Sequence, residues 1–225
     1  MQLCDVPGKF VIAHRYIPGV HMDGPYNKLL MPTGSASNCV AQTDYARDGF
    51  RAAVGAAPHI VIVAANYWDI ARLRQYDIVS ESERSGLPRS VLTSYMANLT
   101  TWVRHVKTVF PDSQVVYHTH TVPKHDNVGK LLSWGSYVVS IQQLNAAGKA
   151  VARAESIMML DMADMGSSFT SETLNRDNHH PNAWFSLEVF DQYVSILVDC
   201  RKSRFACWAR SWMKWMGQRN TKNRF

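Results

Sequence analysis

At 225 residues and 46% hydrophobic, the chain is long enough to bury one sizeable core, and its length favours a single domain over two. The net charge of +6 belongs to one end: Arg201, Lys202, Arg204, Arg210, Lys214, Arg219, Lys222 and Arg224 follow Cys200 with no acid among them, which leaves the body close to neutral. No apolar run approaches the roughly 18 residues a membrane span needs, and the start "MQLCDVPGKFVIAHRY" lacks the basic and apolar regions of a signal peptide, so the expectation is a soluble protein with no visible address.

In chain order, Phe10 to Ala13 form an apolar, β-branched run that ends in the Pro18-Gly19 turn signal, a strand followed by a loop. Residues 20 to 43 hold Gly24, Pro25, Pro32 and Gly34 without a sustained period and read as loop. "DYARDGFRAAVGAA" gives a short helical pattern, and "PHIVIVAAN" an uninterrupted apolar strand of the kind that both faces of a parallel sheet bury. Leu92, Tyr95, Met96, Leu99, Trp102, Val103, Val106 and Phe110 recur at three and four spacing, which predicts an amphipathic helix. "PDSQVVYHTHTVP" then reads as a strand, "SYVVSIQQLNAAGKAVARAE" as a helix, "SIMMLDMAD" as a strand and "PNAWFSLEVFDQYVSILVDC" as the last helix. Alternating helix-sized and strand-sized segments predict an α/β fold, a three-layer sandwich with a central parallel sheet.

Ligands of such sheets bind at the carboxyl ends of the strands, a rim that holds "NYWD", the end of "YHTHTVP" and the loop "RDNHHPN" at 176–182. In that loop Asp177 stands three residues before His180, so its carboxylate can fix one imidazole nitrogen and leave the other to take a proton from a serine hydroxyl. The plainer alternative has Asp177 or Asn178 capping the last helix with the histidines solvated. A metal site would recruit His118, His120 and His125 with His179 or His180, but those residues serve equally as polar strand ends. Cys4, Cys39, Cys200 and Cys207 have no zinc spacing; they are free thiols or an end-to-end disulfide, and no cofactor is called for.

The order of these motifs resembles the SGNH hydrolases, or GDSL-type esterases. "PHIVIVAANYWDIARL" looks like their third conserved block, with an ending close to the "LWDLxR" form of the PC-esterase branch, and "DNHHPN" is similar to the fifth block, DxxHP. The resemblance covers about residues 10 to 198. It implies an SGNH-type fold, hydrolysis or transfer of an acyl ester, His180 as general base and Asp177 as the residue orienting it. It also implies Gly19 as a backbone oxyanion donor and Asn66 as the side-chain donor, with Trp68 and Asp69 holding the turn rather than touching substrate.

One block departs from the pattern. No Gly-Asp-Ser occurs, and the remaining nucleophile candidate, Ser35 after Gly34, leaves residues 36 to 57 little room for the helix and strand that should precede the third block. The expectation is that this chain begins at the second strand of the fold, with the first strand and its serine missing. The body then spans residues 1–200, followed by a basic, aromatic tail over 201–225. Phe205, Trp208, Trp212, Trp215 and Met216 at helical spacing make that tail either an ordinary last helix or a surface for an acidic or membrane partner. Nucleic-acid binding would rest on charge alone. The rival reading of the whole is a non-catalytic carbohydrate- or protein-binding descendant that kept the rim and lost the serine.

Overall fold

The structure, a computed structural model, describes residues 2–6, 10–14, 19–20, 38–65, 69–70, 86–122, 138–167 and 183–202. Strands β1 (Gln2–Val6) and β2 (Phe10–His14) come first, followed by helix α1 (Cys39–Val54), strand β3 (Ile60–Val63) and helix α2 (Arg89–Val109). Strand β4 (Gln114–His118), helix α3 (Val138–Ala154), strand β5 (Met158–Leu160), helix α4 (Met162–Ser167) and helix α5 (Ala183–Lys202) complete the order.

Strands β3, β4 and β5 lie side by side and all run parallel, with Ile60 opposite Gln114 and Val116 opposite Met158. Parallel neighbours require a long crossover, and α2 and α3 are those crossovers. Successive side chains of a strand leave on opposite faces, so the sheet sorts its residues between two cores. Val115 and Tyr117 of β4 join Met159 of β5 against Cys39 of α1, Leu99 and Val103 of α2 and Ile141 and Leu144 of α3. Val116, Met158 and Leu160 leave on the other face and meet Met162 of α4 with Phe185, Val189 and Ile196 of α5. Helices thus cover both faces, which makes three layers and bears out the α/β class expected from the sequence.

Three expectations are corrected. The strand over Phe10 to Ala13 exists, but it pairs antiparallel with β1, Val6 opposite Phe10, in a two-stranded sheet apart from the parallel one. An apolar run carries no mark of the strand it will pair with. Second, α1 starts at Cys39, inside the stretch read as loop. Asn38 Oδ1 accepts from Ala41 N at 3.1 Å and satisfies an orphan donor of the first turn, and Gly55 ends the helix in a left-handed conformation at φ 74°. Third, α4 was not expected; six residues are too few to show a period. Among the described residues β3 pairs only with β4, and Ile62 is 42% exposed. Helix α5 runs through Cys200 to Lys202, past the expected boundary of body and tail; residues 203–225 lie outside the described residues.

Candidate functional site

Beyond the carboxyl end of β3, buried polar groups tie three distant pieces of chain together. Tyr95, on the buried face of α2, donates its hydroxyl to the Ala65 carbonyl at 2.8 Å and fixes the exit of β3. Asp69, 1% exposed, accepts the Val20 backbone N–H on Oδ1 at 2.8 Å. Gly19 just before it has φ 83°, and a Cβ there would lie 2.6 Å from the same Oδ1. Only glycine allows both that backbone conformation and that approach. The Val20 carbonyl in turn meets the Cys39 thiol at 3.7 Å, which brings the start of α1 to the same place.

Electrostatics keep the tyrosines here protonated. Burial, reinforced by Tyr117 and by the Asp69 carboxylate, pushes the Tyr95 phenol well above its usual range, so it remains a donor to Ala65. Tyr117 is raised for the same first reason, and its hydroxyl occupies the space that a side chain at Gly148 of α3 would need.

At the exit of β4 a second network forms. The Thr119 hydroxyl donates to Asp161 Oδ1 at 2.9 Å and accepts from Ala163 N at 2.9 Å, while Asp161 Oδ1 also accepts from Asp164 N at 3.2 Å. Asp161 Oδ2 pairs with Lys149 Nζ at 2.5 Å, so this carboxylate, 4% exposed, caps α4 and is neutralised by α3. His118 donates Nδ1–H to the Thr119 carbonyl at 3.1 Å, and its ring meets His120 edge to face with centroids 5.5 Å apart. Enclosure of the imidazoles lowers both from the ordinary histidine range; with His118 beside it, His120 falls to about 3. Both rings are therefore neutral near pH 7. Among the described residues no group of three or more His, Cys, Asp or Glu is placed to hold a metal ion. An open cavity nearby, between α3 and α4, is lined by Val122, Gln142, Asn145, Lys149, Asp164 and Ser167.

Of the site residues expected from the sequence, the structure describes Gly19 and places it against Asp69. Asp69 binds the Gly19–Val20 turn through Val20 N–H, whereas the expectation is that it holds the turn of its own "NYWD" segment, of which residues 66–68 lie outside the described residues. Asp177, His180, Asn66, Trp68 and Ser35 lie outside the described residues, as do His125 and His179 of the metal reading. Cys39 is a buried free thiol, the first of the two alternatives left open for the cysteines. Sequence reasoning missed the role of Tyr95, which it took for an apolar position, and that of Tyr117, which it did not single out. The one signal was chemical: a buried tyrosine brings a hydroxyl that must find a partner.

No protein-family model matches the chain, and no curated protein does. Among solved structures it is similar to the acetylxylan esterase Axe2 from Geobacillus stearothermophilus, at 15% identity and a TM-score of 0.42, over 66% of this chain and 66% of that one. It is also similar to a GDSL-like lipase from Parabacteroides merdae, at 10% identity and a TM-score of 0.42, over 63% and 61% of the two chains. The chain thus spans just under two thirds of the length of these structures. The α/β class itself stands on the parallel pairing of β3, β4 and β5 in this chain.

Proposed function

We propose that the chain carries an SGNH-type ester hydrolase site acting on an acyl ester, with a glycan ester as the substrate class. In this reading His180 takes a proton from a serine hydroxyl and later gives it to the leaving alcohol, while Asp177 orients the ring and stabilises the imidazolium. Gly19 N–H and the Asn66 side chain face the oxyanion of the tetrahedral intermediate. The basic, aromatic tail over 201–225 is a surface for an acidic or membrane partner in the same reading.

The observation that carries the proposal is the hydrogen bond from Val20 N to Asp69 Oδ1. It brings Gly19–Val20 beside Asp69, and the sequence resemblance draws one oxyanion donor from Gly19 and the other from Asn66, three residues before Asp69 in the sequence. The rim at the carboxyl ends of a parallel sheet is also where α/β proteins bind ligands.

The test is covalent labelling of the full chain with a fluorophosphonate, with hydrolysis of p-nitrophenyl acetate and of acetylated xylan measured beside it. A single serine adduct at Ser35, the nucleophile candidate within this sequence, together with a loss of hydrolysis of about 1,000-fold or more in His180→Ala, supports an active hydrolase, since that is the scale on which a triad member acts. Absence of both adduct and hydrolysis rejects activity in favour of an inactive esterase or a binding protein on the same scaffold.

A further inference from the structure

We propose that Asp69 is a positioning residue of this site: its buried carboxylate fixes the Gly19–Val20 turn, and with it the Gly19 N–H that faces the oxyanion in the reading above. The inference rests on the esterase reading above. Val20 N–H, 49 residues away in sequence, is bound by Asp69 Oδ1 in a buried hydrogen bond of 2.8 Å. That bond consumes one of the two N–H groups of the turn and leaves Gly19 N–H as its other donor. The absence of a Gly19 side chain is what lets the carboxylate come this close, since any Cβ would stand 2.6 Å from Oδ1 and 3.0 Å from Cγ.

The other expected donor, Asn66, lies in the sequence between Ala65, whose carbonyl Tyr95 fixes, and Asp69. An oxyanion hole works only when its donors are set before charge develops, and a misplacement of about 1 Å costs on the order of 100-fold. Asp69 touches neither substrate nor reacting atom in this scheme; it sets the position of the Gly19 N–H, which does.

The experiment compares Asp69→Leu and Asp69→Asn with the wild type in the full chain. It measures kcat and KM for p-nitrophenyl acetate, inhibition by an alkyl boronic acid that forms a tetrahedral adduct, and thermal melting. Asparagine keeps an oxygen for Val20 N–H and leucine does not. The expected result is a fall in kcat of about 100-fold in Asp69→Leu with KM changed by less than about 3-fold, a parallel loss of boronate affinity, and recovery of most of the rate in Asp69→Asn. Where the leucine variant does not fold, Asp69→Glu displaces the carboxylate by one methylene and carries the same expectation. Wild-type kcat in a folded Asp69→Leu or Asp69→Glu, or a loss confined to melting temperature, overturns the positioning role and leaves the esterase reading intact. A wild type with no hydrolysis and no adduct removes the esterase reading, and the positioning role falls with it.

Discussion

Gly148 shows how a single hydrogen atom in place of a methyl group can decide packing. A Cβ there would overlap the Tyr117 hydroxyl and the ring carbon bearing it, and Tyr117 is among the most deeply buried large side chains. Gly148→Ala should therefore destabilise the protein by about 1–3 kcal/mol in urea unfolding, despite the better helix propensity of alanine. Adding Tyr117→Phe should recover part of that loss by removing the first atom the methyl meets. His120 makes a prediction of opposite character. Its folded pKa is depressed from 6.5 to about 3, so between those values the unfolded chain binds a proton that the folded chain does not. The stability it contributes is intact above about pH 6.5 and is lost as the pH falls toward about 3. Urea midpoints taken from neutral pH down to about pH 4 should fall less steeply in His120→Gln than in the wild type, by a slope of up to about 1.4 kcal/mol per pH unit. Equal slopes in the two proteins would exclude a buried neutral His120.

Among the elements, α3 does more than cross over the sheet. Its Gln143 accepts Leu87 N–H on Oε1 at 2.6 Å, at the entry to α2, and its Asn145 binds His120 on both sides, accepting the backbone N–H at 3.0 Å and donating to the carbonyl at 2.8 Å. An amide side chain matches a peptide group donor for acceptor, which lets a helix hold a loop without any regular pairing. Asn145→Leu removes both of these hydrogen bonds to His120 and should cost about 1–3 kcal/mol, with faster amide hydrogen exchange at His120 as the local signature. The same elements show what a sequence exposes. Helices α2, α3 and α5 and strands β3, β4 and β5 were legible because each carries a period or an apolar run long enough to read. The start of α1 was hidden because a side-chain cap at Asn38, not an apolar period, begins it. The Asp69, Tyr95 and Tyr117 cluster was hidden for another reason: its bonds join residues 30 and 49 positions apart, a distance over which local pattern says nothing.

For the whole molecule, the parallel sheet separates a broad core under α1, α2 and α3 from a narrower one in which, among the described residues, α5 rests on Phe185, Val189 and Ile196. Gly19, Asp69 and Tyr95 belong to the broad side. In the sequence the loop with Asp177 and His180 directly precedes α5, so the proposed acid-base pair is tethered to the helix that rests on the narrower core. The proposed site would then depend on elements of both cores. Proteins open locally in units whose free energies follow the apolar surface each unit buries, and α5 is the unit with the smaller share here. On warming, catalysis should fade several degrees before the sheet melts, with amides of α5 exchanging ahead of those of α2. The fold would then act as its own fuse, going silent while most of it still stands.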